Sequence, residues 1–363
     1  MHPYRHKPDY AFWRRAVSGR SSREVDPVTA VPFHIAQSDK IATGGSCFAQ
    51  YISKTLSSIG FGYLVTETGP VTPGATNENY GVFPARFGNL YTARQLVQLF
   101  QRAYGVFEPA DSEWVATAGG YVDPFRPLIQ QGGFESVERL RADRESHLAS
   151  VREMFEQCDV FIFTLGLTEG WRSTVDGAMF PLAPGVVSEK INPSDYEFHN
   201  FTVGEVEADL LEFVDLLRSV NPTVRIILTV SPVPLIATFE ERHVLVSTVY
   251  SKCVLRVAAE TITRCRPDIA YFPSYELITG PQARSQFYQD DLREVSADGV
   301  EHVMSIFIKH YVPSDGASKS ENADPKPSAA SASHLASSRA SEAANMREWQ
   351  QVICDEITLD VPR

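Results

Sequence analysis

Hydrophobic positions along the chain follow two alternating patterns. Continuous apolar runs of strand length, each bounded by turn signals, occur at residues 40–45, 160–166, 224–232 and 269–276. Between these runs apolar residues recur at helical spacing, which predicts helices after Ser46 and at residues 93–104, 135–157, 203–219 and 243–264. Strands that are apolar throughout and alternate with helices are typical of a parallel sheet covered on both faces. The sequence therefore predicts an α/β fold.

The same pattern predicts how the chain is organised. Its periodicity extends over residues 39–312, where we expect a single domain, preceded by an extension at residues 1–38 that packs on the core. Residues 313–345 are rich in Ser and Ala with almost no large apolar side chains. Such a composition buries too little surface to offset the entropy lost on ordering, so we expect a disordered linker. Residues 346–363 regain apolar positions and are predicted to form a short helix or tail.

Charge and cysteine usage restrict the partners and the compartment. The 363 residues carry a formal net charge of −12, which disfavours a nucleic acid or an anionic membrane surface as partner. The five cysteines form no CxxC pair, and scattered cysteines in odd number are typical of free thiols in a reducing compartment. No secretory signal and no apolar run of membrane-spanning length are visible. We therefore expect a cytoplasmic protein without membrane insertion.

The sequence Gly-Gly-Ser-Cys, which contains Ser46, joins the first predicted strand to its helix. The first N–H groups of a helix have no helical partners, and the helix dipole favours negative charge there, so a serine at this point suits nucleophilic chemistry. The two glycines permit close approach of a substrate. The structural alternative is a tight turn with Ser46 as helix cap. Ligand sites of parallel sheets collect at the carboxyl ends of the strands, where Gly166 and Ser231 also fall.

The remaining motifs indicate which residues, metals and cofactors could take part in the chemistry of this site. Residues 163–171, FTLGLTEGW, end a second buried strand and bring Gly166, Thr168 and Glu169 to the same edge. The nine histidines are scattered along the chain, so we predict no metal site. The glycines before Ser46 lack the Gly-Lys-Ser/Thr of a phosphate loop, and no cofactor is expected.

These strings resemble those of a known family. Residues 45–49 read GSCFA, and the chain resembles the GSCFA family, which is related to the SGNH (GDSL-type) hydrolases. The segments 85–96, 229–235 and 271–281 also look like family strings, and the resemblance extends from about Pro32 to Tyr311. It implies a three-layer α/β/α sandwich with a mostly parallel, flavodoxin-like sheet.

The resemblance also implies roles for individual residues. Ser46 matches the nucleophilic serine, whose own backbone N–H joins the oxyanion hole. The oxyanion glycine of the second block is expected at Gly88, beside Asn89, with Gly81 as the alternative. Thr168 stands where these hydrolases carry an asparagine, and its hydroxyl can donate a hydrogen bond. The expected oxyanion- and substrate-binding residues are Gly45, Gly88, Asn89, Gly166, Thr168 and Glu169.

The last block of the resemblance departs from the family pattern. Asp291 and Glu294, followed by Gly299, keep the spacing of Asp-x-x-His but place a glutamate where the histidine is expected. A free glutamate has a pKa of about 4.3, so it is a weak base at neutral pH unless burial or a like charge such as that of Asp290 raises the pKa. The nearest histidine, His302, is expected on the solvent side of its helix.

The implied activity is hydrolysis of an acyl ester, most readily an acetyl ester of a sugar or polysaccharide. Ser46 attacks the ester carbonyl, and Asp291 and Glu294 handle the proton. A lid is expected from residues 105–150 and 172–202. Two alternatives are an O-acyltransferase of surface-polysaccharide synthesis that uses acyl-CoA, and a non-catalytic binding protein that has lost the histidine.

Overall fold

The protein is described here by a computed structural model that covers residues 2–69, 79–117, 119–188 and 190–313. Almost all of the predicted linker and the whole predicted tail, residues 314–363, lie outside the described residues.

The strands and helices match the apolar pattern closely. In chain order the strands are β1 (Ile41–Gly45), β2 (Trp114–Val115), β3 (Tyr121–Val122), β4 (Val160–Leu165), β5 (Glu169–Ser173), β6 (Met179–Phe180), β7 (Tyr196–Asn200), β8 (Arg225–Val230) and β9 (Ala270–Phe272). The α-helices are α1 (Phe48–Ser58), α2 (Ala93–Ala103), α3 (Val137–Gln157), α4 (Val203–Val220), α5 (Val244–Cys265), α6 (Ser274–Thr279) and α7 (Ala297–Tyr311). The four runs predicted as buried strands are β1, β4, β8 and β9.

The central sheet has the strand order β1-β4-β8-β9, and all of its pairs are parallel. On the free side of β1, Tyr63 adds one parallel bridge to Ile41. The chain therefore goes first to one side of β1 and then crosses to the other side, where β4 lies. This reversal is the topological switch point of a flavodoxin-like sheet, and ligands of such sheets bind outside the carboxyl ends of the strands that flank it.

Helices cover both faces of this sheet because its strands are apolar on both faces. Alternate residues such as Phe161 and Phe163 face the layer formed by α2, α3, α4 and α5. Ile162 and Ile227 face the opposite layer, to which α1, α6 and α7 contribute. The predicted fold, a three-layer α/β/α sandwich, is confirmed. No helix among the described residues has the length and apolar character needed to cross a membrane.

The N-terminal segment lies against the layer that contains α7. Ile35 is fully buried, and its N–H donates to the carbonyl of Tyr311. Asp26 accepts from Lys309 and His310 at 2.7 and 2.8 Å. Backbone and side-chain contacts thus hold this segment along the last helix.

Two small antiparallel sheets lie beside the sandwich, β2-β3 and β6-β5-β7. Trp114 of β2 packs on Phe180 of β6 with ring centroids 5.1 Å apart, so the two sheets share an apolar cluster. The sheet β2-β3 and the strands β6 and β7 lie within the residues of the expected lid, whereas β5 begins just before them. The helix α3 extends across the predicted lid boundary at residue 150 and buries Val151 and Phe155 in the sandwich.

A buried ion network joins this region to α3. We give this name to Glu67, Arg86, Asp123, Arg126 and Asp143. The Arg126 guanidinium lies 3.0 Å from Asp123 and 2.7 Å from Asp143, and Arg86 lies 3.0 Å from the other oxygen of Asp143. Burial opposes the charge of Asp123, but the arginines around it outweigh that effect and hold the pKa of its carboxyl well below the usual value. Asp123 is therefore ionised at neutral pH.

Candidate active site

Ser46 lies where β1 turns into α1. The preceding Gly45 has φ = 128°, and a Cβ built there would lie 2.2 Å from the carbonyl oxygen of Thr164 on the neighbouring strand. Only glycine combines this backbone conformation with so close an approach. The Ser46 N–H donates to the same Thr164 oxygen at 3.1 Å. The backbone donor that the resemblance assigns to the oxyanion hole is therefore hydrogen-bonded within the sheet.

The Ser46 side chain is buried and chemically unengaged. Its exposed fraction is 3%, and its Oγ has no hydrogen-bond partner among the described residues. Leaving a buried polar group unsatisfied costs about 1–3 kcal/mol. A hydroxyl held in this state at the switch point of the sheet has the position expected of a nucleophile.

Ser46 lines a small cavity at the carboxyl edge of the sheet. Gly166 follows β4, Ser231 follows β8, and both line the same cavity, as expected from the positions at which their strands end. The turn at Gly166 is fixed by the carbonyl of Tyr91, which accepts from the N–H groups of Gly166 and Leu167. A Cβ at residue 166 would lie 3.1 Å from the Cβ of Ser46, so the missing side chain leaves room for the serine.

Lys252 of α5 completes this cavity, and the sequence analysis missed it. Its side chain is 2% exposed, and its Nζ donates to the carbonyl of Gly166 at 2.5 Å. A signal was present in the sequence, since Lys252 lies at helical spacing from Leu255 and Ala259, on the apolar side of α5. A lysine on the buried stripe of a helix needs a polar environment inside the protein, and this cavity supplies it.

The segment that carries Gly88 and Asn89 runs beside Ser46 but contributes to a different cavity. Leu90 N–H donates to the Gly45 carbonyl, and the Asn89 side chain accepts from Gln50 of α1 at 3.2 Å. Leu90 and Asn89 thus hold this segment against the β1–α1 turn.

Thr168 and Glu169 hold the elements that surround the cavity. Thr168 is fully buried and donates its hydroxyl proton to Asn200 at 2.7 Å. Glu169 accepts from the Thr238 hydroxyl at 2.7 Å and from the Phe239 N–H at 3.2 Å. Neither residue lines the cavity at Ser46. They connect β5 to β7 and to the loop that follows β8.

Asp291 and Glu294 lie together on an exposed turn. The Asp291 carboxylate accepts from the N–H groups of Arg293 and Glu294, both at 3.0 Å, and Glu294 accepts from the Gln289 amide at 3.3 Å. Neither carboxylate lines the cavity at Ser46. The nearest connection to the site is Tyr288, whose hydroxyl donates to the carbonyl of Pro232 after β8.

The expectation that His302 faces solvent is wrong. Its side chain is buried and stacks on Phe287 with ring centroids 4.9 Å apart. The segment before α7 folds back over the helix face that the apolar stripe alone leaves open. Burial, reinforced by Arg23, lowers the pKa of His302, which favours its neutral form. His302 does not line the cavity at Ser46.

Two other histidines and the possible metal ligands also lie elsewhere. His199 contacts Glu205 at 2.8 Å, and His243 caps α5 by accepting from the Leu245 N–H. Within the part of the chain that the structure describes, no group of three His, Cys, Asp or Glu side chains could hold a metal ion.

A comparison with protein families identifies one whose model matches most of this chain. The model of the GSCFA family matches residues 40–307, about three quarters of the chain. A search of curated proteins finds no match.

Three solved structures show distant likeness. An acetyl esterase mutant crystallised with acetate has a TM-score of 0.33 and 11% identity over 74% of this chain and 93% of its own. An acetyl-xylooligosaccharide esterase mutant from Geobacillus has a TM-score of 0.32 and 14% identity over 79% of this chain and 100% of its own. A carbohydrate esterase of family 3 from Talaromyces cellulolyticus has a TM-score of 0.24 and 12% identity over 60% and 87%. Likenesses this distant assign no activity.

Proposed function

The chain belongs to the GSCFA family, and from this premise we propose that it hydrolyses an acyl ester with the Ser46 hydroxyl as nucleophile. The observation that carries the proposal is the unengaged, buried Oγ of Ser46 at the switch point of the sheet. A serine that only caps a helix accepts from a backbone N–H, and Ser46 makes no such bond to the described residues.

The size of the cavity supports a short acyl group. Its volume is about 10 Å³, which is about what a cavity needs to hold one water molecule. An acetyl group, whose tail is one methyl, is the acyl group that fits with the least movement of the lining residues. Longer acyl chains need displacement of lining residues such as Leu235 or Leu167.

An aromatic cluster supports a sugar as the alcohol part of the ester, and part of it lies in the loop after β8 that also carries the cavity residue Leu235. We give this name to Trp171 of β5, Phe198 of β7 and Phe239 of the loop after β8, whose ring centroids lie 4.8–6.0 Å apart. Phe239 is 64% exposed. Exposed aromatic faces bind the apolar faces of other rings, and Glu169 fixes Phe239 to the strand that follows Gly166.

The proposal is tested by replacing Ser46 with alanine. We expect Ser46→Ala to lower kcat/KM on acetylated substrates by about a thousandfold or more, because the bond to the acyl carbon can no longer form. A serine-directed fluorophosphonate should label the wild type at Ser46, with the site read by peptide mass spectrometry.

Ser231→Ala is the matched control, since this serine lines the same cavity but follows the next strand. It should keep both labelling and most of the activity. Absence of Ser46 labelling in the wild type, together with unchanged turnover by Ser46→Ala, would overturn the proposal. Esterase assays with acetylated xylan fragments and with small aryl acetates supply the activity readout.

A further inference from the structure

We propose that Lys252 is the general base that activates Ser46, an inference that rests on the proposed function. The site then works as a serine–lysine pair, in which the amine of α5 replaces the histidine that the last block of the resemblance lacks.

The position of Lys252 is the first observation. Lys252 and Ser46 are both buried, and both line one cavity together with Gly166. The Nζ of Lys252 donates to the Gly166 carbonyl at 2.5 Å, and the Cβ of Ser46 lies 3.1 Å from the point where a side chain at 166 would begin. Gly166 therefore places the amine and the hydroxyl in one small volume.

The chemistry of the cavity is the second observation. Among the described residues that line it there is no histidine, aspartate or glutamate, and the titratable side chains besides Lys252 are Cys47 and Tyr91. On its own helix the nearest charged residue is Arg256, whose guanidinium pairs with Glu260 and Glu276. The amine is thus the group in the cavity whose ordinary chemistry includes taking a proton from a hydroxyl.

Burial of Lys252 favours the neutral form of its amine. Removing an ammonium group from water disfavours its charged form. A neutral amine still has N–H groups, one of which suits the Gly166 carbonyl, and it keeps one lone pair that accepts the Ser46 proton. Holding the amine by the backbone of the β4 turn fixes its direction, as a catalytic base requires.

The reaction then proceeds in two balanced halves. The Ser46 oxygen forms a bond to the acyl carbon as its proton moves to Lys252, and the ammonium returns that proton to the leaving sugar oxygen when the ester C–O bond breaks. A water molecule next attacks the acyl-serine and gives a proton to Lys252. The ammonium passes it to the Ser46 oxygen as the carboxylic acid leaves.

Three variants separate this role from its competitors. Lys252→Met removes the amine, Lys252→Arg keeps the positive charge but cannot give up a proton near neutral pH, and Glu294→Gln tests the carboxylate in the histidine position. The rate at which a fluorophosphonate labels Ser46 is the readout, because it reports on activation of the serine independently of sugar binding. Thermal unfolding of each variant shows that it is folded.

We expect both Lys252 variants to label about a hundredfold more slowly than the wild type and Glu294→Gln to label within about twofold of it. The small variant Lys252→Ala should recover part of its rate when ethylamine or propylamine is added, which a purely structural lysine would not permit. Retention of the wild-type rate by Lys252→Arg shows that the residue acts as a cation near the oxyanion, and it overturns the assignment as base.

The design distinguishes failure of this inference from failure of the proposed function. A wild type that is never labelled at Ser46 contradicts serine catalysis itself. Labelling that is lost in Glu294→Gln and unchanged in Lys252→Met contradicts only the assignment of the base. If the Lys252 variants do not fold, the wild-type pH profile decides. A labelling rate that rises with pH through one ionisation, and keeps that profile in Glu294→Gln, supports the amine, whereas a profile that changes in Glu294→Gln contradicts it.

Discussion

The buried ion network and the cavity at Ser46 both contain buried polar side chains, but these side chains differ in the partners that they have. In the network each buried charge has an opposite charge within 4 Å, and Asp123 and Arg126 are almost fully buried together. In the cavity the Ser46 hydroxyl has no partner among the described residues, and Lys252 donates to a carbonyl. The first arrangement locks the surrounding loops in place, whereas the second keeps a reactive group available.

This difference separates stability from chemistry in the molecule. Removing one member of a buried, hydrogen-bonded charge pair leaves the other charge unpaired in a medium of low dielectric constant. Removing an unsatisfied buried hydroxyl takes away a group that already lacks compensation. Removal of a buried polar group should therefore lower the stability of the protein in the ion network, whereas in the cavity at Ser46 it should lower activity.

The largest expected effect is on the network. Asp123→Asn should lower the free energy of unfolding by about 3–5 kcal/mol, because Arg126 and Arg144 lose their shared carboxylate. Urea unfolding at neutral pH measures the change. Asp9→Asn is the matched control, since Asp9 also pairs with an arginine but is 72% exposed, and it should cost less than about 0.5 kcal/mol. Equal effects of the two substitutions would contradict the special role given to burial.

The next effect concerns the backbone beneath the nucleophile. Gly45→Ala should destabilise the protein by about 3 kcal/mol, because it combines a positive φ with a Cβ against the Thr164 carbonyl. Gly81→Ala is the control, since Gly81 also has a positive φ but no heavy atom lies within 4 Å of its Cβ position, and it should cost about 1–2 kcal/mol. A smaller loss for Gly45 than for Gly81 would mean that β1 moves easily away from β4.

The smallest effect tests whether substrate recognition lies outside the cavity. Trp171→Ala should raise KM for an acetylated oligosaccharide about three- to tenfold, since one stacking contact contributes about 0.5–1.5 kcal/mol. The same variant should leave turnover of a small aryl acetate unchanged. Trp13→Ala, at a tryptophan that is 63% exposed elsewhere, is the control and should change neither. Parallel losses on both substrates would remove the aromatic cluster from sugar binding.

Much of the central sheet could be predicted from the sequence because burial on both faces demands continuous apolar strands. The run at residues 160–166 became β4, and the helix predicted at residues 93–104 became α2. The short strands β5, β6 and β7 were missed, because their pairing depends on contacts between distant segments rather than on local periodicity.

The candidate site could be predicted from the sequence less completely than the central sheet, and the reason is physical. A single lysine within a long helix usually faces solvent, so Lys252 attracts no notice until the carbonyl of Gly166 is seen beside it. His302 was placed on the wrong side because the covering residue, Phe287, lies outside its helix. The role of Glu294 stays a prediction, which the Glu294→Gln variant tests. The role of Asp291 and the alternative of acyl transfer from acyl-CoA also stay predictions.

The pairing of β1 with β4 has a consequence for how the protein acquires its reactivity during folding. Lys40 and Asp159, which are hydrogen-bonded at the start of these strands, are 119 residues apart in sequence. Contacts of such separation form late, because the entropy of closing a long loop is lost before the contact is gained. A newly made chain therefore contains Ser46 as an ordinary, inert residue. The appearance of a reactive serine during refolding reports that the two distant halves of the sheet have met.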